Sequence, residues 1–226
     1  EPLVTISTPC YNHEKYLADY FESIISQTYK NIELIIIDDA SKDNSQKIIE
    51  NYLPKLKERF LRVEYIPRKK NVGLVRNCNE GLDLARGKYI IGFASDDIML
   101  PTRVEENVKF LEEHKDYGMV YSDAYIFNGD IDIKEINFDN LKCFSDKQKF
   151  YSGNVMNQLI INDFIPAPTV CIIKDCFNIV GKYNENYCFE DYDIWLKIAE
   201  KFKIGYLNKK LVLYRVHNKS FSHNKK

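Results

Sequence analysis

No apolar run in this chain approaches the roughly 18–20 residues a helix needs to cross a bilayer, and no secretory leader opens it. Cationic excess is missing too: 32 Lys and Arg face 33 Asp and Glu, for a formal net charge of −1. That balance excludes a surface built to coat nucleic acid, although it leaves room for a local basic site. The six cysteines, at 10, 78, 143, 171, 176 and 188, include no CxxC pair and no histidine at finger spacing. They read as free thiols in a reducing, cytoplasmic compartment. Repeats and low-complexity tracts are absent. The first residue is Glu1 rather than Met, so the sequence reads as an excised piece, and a missing anchor says little about its parent.

What is there suits a soluble α/β protein: 226 residues, 45% hydrophobic and 29% charged, enough to bury a substantial core. The first half alternates between two periods. "LVTISTP", "IELIIIDDAS", "LRVEYIP", "KYIIGF" and "GMVYSDAYIF" are strand-like runs. Between them, helical spacing aligns Leu17, Phe21, Ile24 and Ile25, then Ile48, Ile49, Tyr52, Leu53 and Leu56, and later Val104, Val108 and Leu111. "NVGLVRNCNEGLDLARG" reads as a helix that Gly87 terminates. Continuous apolar strands alternating with helices predict a mainly parallel sheet covered on both faces. Residues 129–153 read as an irregular connection. Beyond them come a helix near 154–161, a strand at "APTVCIIK", a helix over 191–203, short strands "IGYL" and "LVLYRV", and a loose polar tail.

In open α/β sheets, ligands bind beyond the carboxyl ends of the strands. Thr8 and Pro9, Asp38 and Asp39, and Asp96 and Asp97 end three of these strands. A turn or cap explains any one of them alone, but not three on one rim. No GxGxxG follows the first strand, so a Rossmann dinucleotide site is unsupported. "GLDLARGK" fails as a P-loop because its spacing is one residue too long and it runs from helix to strand. GxSxG and HExxH are absent. A diphosphate bound here needs another counter-charge, and Mg²⁺ or Mn²⁺ held by one or two carboxylates supplies it. In "NYCFEDYDIWLKIAEKF", Asp191 begins a helix whose Ile194, Trp195 and Ile198 face the core. Asp191 reads either as a favourable charge at a helix N-terminus or as a general base.

"VTISTPCYNHEKYLADYFESIISQTYKNIELIIIDDASKDNS", "NVGLVRNCNEGLDLARGKYIIGFASDDIMLP", "FEDYDIWLKIA" and "LYRVHNKSFS" occur in that order along nearly the whole chain. Together they resemble the inverting family 2 glycosyltransferases. The resemblance implies a GT-A fold over 1–226, with a nucleotide-sugar-binding half (about 1–128) and an acceptor-binding half (about 129–226). It implies that Thr8 and Asp39 hold the nucleotide base, that Pro9 and Tyr11 belong to the nucleotide site, and that Arg76 lies beside the base or diphosphate. Asp96 and Asp97 match the family's DXD-type acids, Asp96 toward the ribose and Asp97 on Mn²⁺ or Mg²⁺. Where many relatives carry a further Asp, this chain has Ala94. Arg215 and His217 approach the diphosphate, His217 as a metal ligand. Asp191 matches the catalytic base and Glu190 supports it, while His13, His114 and His223 are surface residues.

The implied reaction is one inverting displacement, from a nucleotide-diphospho-sugar (a UDP-sugar favoured) to an acceptor hydroxyl. The acceptor is a saccharide or lipid-linked saccharide, shaped by 125–161 and 164–169. The implied setting is bacterial surface polysaccharide synthesis, in the cytoplasm or at the cytoplasmic membrane face, with peripheral membrane association through acceptor or parent protein. Two rivals remain open: a metal-dependent nucleotidyltransferase or phosphohydrolase, and a non-catalytic nucleotide-sugar-binding domain. The first lacks a glycine-rich triphosphate loop and has no post for the "FEDYDIW" acids.

Overall fold

In the computed structural model, residues 1–129, 133–187 and 190–217 are described. Cys188, His223 and the tail from Asn218 fall outside them. The chain begins with β1 (Val4–Cys10), α1 (Leu17–Ile25), β2 (Ile32–Asp38), α2 (Ser45–Arg59) and β3 (Arg62–Pro67). It continues with α3 (Leu74–Leu84), β4 (Tyr89–Gly92), β5 (Ile98–Met99), α4 (Arg103–Glu113) and β6 (Tyr117–Asn128). Then follow β7 (Lys142–Cys143), α5 (Met156–Ile161), β8 (Cys171–Ile173), α6 (Cys176–Val180), α7 (Glu190–Lys201) and β9 (Lys203–Val216). The sheet order is β3-β2-β1-β4-β8-β6-β9-β5, with β7 paired to β6.

The β3-β2-β1-β4 block is parallel throughout, as the alternating first half predicts. β8 joins it antiparallel to β4. β2 is buried at every residue, and the two-residue period of a strand explains how. Leu34 and Ile36 pack with α1, α2 and α4 through Phe21, Ile24, Ile49, Leu56 and Leu111. Ile35 and Ile37 face the opposite layer, with Leu82 of α3 and Ile194, Trp195 and Ile198 of α7.

Several boundaries differ from expectation; within "APTVCIIK", Ala167–Thr169 form a 3₁₀ turn and only Cys171–Ile173 are strand. α3 stops at Leu84, and Gly87 serves close packing: a Cβ there would lie 2.6 Å from the Thr5 backbone nitrogen. "IGYL" and "LVLYRV" belong to one long strand, β9, whose irregular register against β6 absorbs the polar residues between them. Among the described residues, no helix is long and apolar enough to cross a membrane.

Candidate active site

Sharp turns at the ends of β1 and β2 shape the rim. Asn12 and Ala40 take left-handed φ values of 57° and 61°, a conformation that costs an alanine roughly 1 kcal/mol or more and persists only where surroundings enforce it. Ser41 and Ser45 supply that enforcement, accepting from the Asn12 and His13 N–H groups at 2.9 Å each. Asp39, at the end of β2, is 4% exposed. Its two oxygens accept from the N–H groups of Val72 (2.8 Å) and Gly73 (2.9 Å). Arg68 stands 3.9 Å away. These segments enclose a cavity of about 490 Å³ lined by Pro9, Tyr11, His13, Asp39, Asn77 and Asp96 among others. Its size suits a small organic ligand.

Long-range strand pairing assembles the acidic centre. β5 runs antiparallel to β9, with Ile98 opposite Leu213, which carries Arg215 and His217 to the loop after β4. The Arg215 N–H donates to Asp97 Oδ1 at 2.8 Å across 118 residues of sequence. The buried guanidinium donates to the Asp96 carbonyl (2.7 Å), the Gly129 carbonyl (3.3 Å) and Asp19 (3.0 Å). It also lies over the rings of Tyr16 and Phe127 at 4.8 and 4.7 Å.

The adjacent aspartates diverge in environment. Asp96 Oδ2 accepts from His217 Nε2 at 3.0 Å, with His13 Nε2 3.8 Å away. Burial alone would raise the Asp96 carboxyl, but the His217 bond and the His13 charge bring it below the usual carboxylate range. Burial, reinforced by the Asp96 charge, pushes Asp97 well above that range against the opposing Arg215 and Arg103. Burial itself lowers His13, which the Asp96 charge opposes. Two charges this close cannot both ionise freely, and the environments separate them. The ligand atoms of His13, Asp96 and His217 all lie within 4.8 Å of one another.

A second cavity, of about 240 Å³, runs from Pro9, Asp96 and Asp97 to Glu190 and Asp191. Ala167, Pro168 and Trp195 make its wall apolar, and Cys78 and Tyr183 complete the acidic side. Tyr192 of α7 donates its hydroxyl to the Leu159 carbonyl at 2.6 Å, tying the helix that carries Asp191 to α5. α3 grips the segment before α7. Asn79 exchanges two hydrogen bonds with the Tyr183 backbone (2.9 and 3.0 Å), and Arg76 pairs with Glu185 at 2.8 Å.

Pro9, Tyr11, Asp39, Asp96, Asp97, Arg215, Glu190 and Asp191 thus line these two cavities, and His217 adjoins Asp96. Others stand elsewhere. Strand alternation turns Thr8 into the core, where its hydroxyl bonds Tyr20. Arg76 is exposed and holds Glu185 rather than lining either cavity. Asp97 lines the second cavity and accepts from the Arg215 N–H, whereas Asp96 accepts from His217. His13, expected at the surface, is 19% exposed in its side chain and lies at the centre. Its position just past the end of β1, on the ligand rim, was the available signal. His114 is exposed as expected.

A family model described as Glycosyl transferase family 2 matches residues 5–174. An uncharacterized glycosyltransferase of Methanocaldococcus jannaschii is 31% identical over 225 residues, covering 97% of this chain and 72% of that one. The putative glycosyltransferase EpsE of Bacillus subtilis is 39% identical over 127 residues, covering 56% of this chain and 45% of that one. Among solved structures, S. aureus TarS 1–349 in complex with UDP-GlcNAc has a TM-score of 0.73 at 18% identity, over 100% of this chain and 62% of that one. The Pyrobaculum calidifontis mannosyltransferase PcManGT, in complex with GDP-Man and Mn²⁺, has a TM-score of 0.73 at 13% identity, over 98% of this chain and 59% of that one. The chain therefore spans about three fifths of each solved neighbour. With the fold and the family motifs in agreement, the chain belongs to glycosyl transferase family 2 and has the GT-A fold.

Proposed function

We propose that this chain transfers a sugar, with inversion, from a nucleotide-diphospho-sugar to an acceptor hydroxyl. One observation carries the reading: Asp96 lines both cavities, so a site bounded by Asp39 and Asp96 continues directly to Glu190 and Asp191. Asp39 and Tyr11 stand where a base and ribose would lie, with Asp39 keeping acceptor capacity toward an imide N–H such as that of uracil. The TarS complexes with UDP and UDP-GlcNAc support a uridine nucleotide.

A sugar hydroxyl is a poor nucleophile until its proton leaves, and Asp191 removes that proton as the bond to the anomeric carbon forms. Glu190 orients the acceptor beside it. On the opposite face, the bond from the anomeric carbon to the diphosphate oxygen breaks, and negative charge grows on the leaving group. Mn²⁺ or Mg²⁺ fits at Asp96 and His217, where a bound cation stabilises that charge. Arg215 supports the same end by holding the Asp96 and Asp97 segment. The acceptor in this reading is a saccharide or lipid-linked saccharide, as in bacterial surface polysaccharide synthesis.

Asp191→Asn tests the assignment. Turnover falls about 10²–10⁴-fold, the range a general base contributes, while UDP affinity stays near wild type. Near-normal turnover removes Asp191 as the base. A thermal-shift screen of UDP-, dTDP- and GDP-sugars with Mn²⁺ identifies the donor nucleotide, and a larger shift with GDP-sugars contradicts the uridine preference.

A further inference from the structure

Gly92 is a glycine that the fold does not require. Of the chain's nine glycines, Gly73, Gly153 and Gly181 take left-handed φ, and at five others a Cβ would come within 3.0 Å of a neighbour. Gly92 has neither reason: its φ is ordinary, and a Cβ there meets nothing within 4 Å. A glycine at the end of a strand, with open space above it, marks a place where a ligand approaches closely. We propose that the cavity above Gly92 selects a donor sugar carrying an acetamido group, whose methyl enters an apolar recess that the missing side chain leaves open. The inference rests on the proposed transfer and adds the class of donor sugar to it.

Strand alternation builds the recess. The Phe93 N–H still donates to the Ser7 carbonyl at 2.9 Å, so the two-residue period carries past the end of β4. Ile90, Gly92 and Ala94 then share one face, and all three line the cavity of about 240 Å³. Ile90 packs in the layer of Ile194, Trp195 and Ile198, so that face looks toward α7, which carries Asp191. Ile172 stands opposite Ile90 in the β4–β8 register, and Val170 and Pro168 continue the wall. Ile90, Ile172 and Val170 are buried.

An inverting displacement fixes which part of the substrate reaches this wall. With the diphosphate beside Asp96 and the acceptor hydroxyl beside Asp191, the moving sugar lies between them, in the cavity that both acids line. A methyl group placed against Ile90, Ile172 and Val170 leaves water for an apolar surface, which is favourable. A sugar hydroxyl in the same place loses its water partners to a wall that offers none in return. Asp97, Glu190 and Asp191 line the same cavity and supply acceptors for the acetamido N–H.

The test is calorimetry of the chain with UDP, UDP-GlcNAc and UDP-Glc, with Mn²⁺ present. UDP-GlcNAc is expected to bind ~10-fold more tightly than UDP-Glc, the lower end of what one carbon in an apolar pocket contributes to discrimination. Gly92→Val fills the recess with a good strand former and is expected to abolish that preference, with UDP affinity within about twofold of wild type. Equal affinities for the two sugars in the wild type, or a variant that keeps the ~10-fold preference, overturn the proposal. If Gly92→Val fails to fold, Gly92→Ala takes its place: a preference reduced at least ~3-fold upholds the recess, and an undiminished one overturns it. The two readings fail differently. A chain that binds UDP without distinguishing the sugars loses the acetamido selection alone, whereas one that binds no nucleotide loses the transferase reading and this inference with it.

Discussion

Asp39→Asn measures how far a buried carboxylate shapes the nucleotide cavity through the loop it holds. Both oxygens accept backbone N–H groups, from Val72 at 2.8 Å and Gly73 at 2.9 Å. An asparagine presents one oxygen and one NH₂, so one of the two bonds becomes donor against donor whichever way the amide turns. A hydrogen bond to a charged group contributes about 1.5–3 kcal/mol. At about 2–4 °C per kcal/mol for a chain of this length, Tm falls by about 3–12 °C. Asn71, whose side chain donates to the Asp39 carbonyl at 3.1 Å, keeps a backbone tie to the loop in the variant, so the loss is of the two carboxylate bonds. Because Gly73 and Asn71 line the cavity, UDP affinity falls with it. Thermal unfolding without nucleotide reads the first effect and calorimetry with UDP the second. An unchanged Tm refutes the claim that Asp39 pins the loop. A lowered Tm with unchanged UDP affinity refutes the claim that the loop shapes the site.

Two further substitutions follow from the charges. Glu33, 1% exposed within β2, accepts from Thr5 (2.5 Å), the Arg86 N–H (2.6 Å), the Gly87 N–H (3.1 Å) and Arg62 (3.0 Å). Glu33→Ala strands these donors and costs about 3–5 kcal/mol, or about 6–20 °C in Tm. Burial opposes ionisation of Glu33, but the Thr5, Arg86 and Arg62 contacts win and lower its carboxyl. Its stabilisation is therefore complete above its unperturbed value of 4.5 and lost as pH falls below it, a dependence that Glu33→Ala flattens. Asp163 is pushed up to about 6, first by burial and then by the Asp191 charge. A carboxyl-detected NMR titration gives its midpoint there, and Asp191→Asn lowers it. An unmoved midpoint separates the two acids.

Helix faces and strand runs were legible because burial imposes a period. Leu17, Phe21 and Ile24, and Val104 and Leu111, lie in the core at the spacing their sequence shows. The strand-end rule likewise pointed to Asp39 and Asp96. Thr8, on the same rim, has its hydroxyl sent by alternation along β1 to Tyr20, and Arg76, which the resemblance set beside the base or diphosphate, pairs with Glu185, 109 residues away.

Local patterning therefore determined the parallel first half, the two covered faces of β2 and the rim on which the polar residues gather, since each depends on neighbours within a few positions. How the surroundings of the two acids differ was decided only in three dimensions. Asp96 and Asp97 are adjacent and chemically identical. The β5–β9 pairing gives Asp97 to the Arg215 backbone and leaves Asp96 facing His217, and the turn at Asn12 adds His13. Desolvation and the mutual repulsion of two carboxylates then drive their proton affinities apart, and no reading of "SDD" as a string contains those fields.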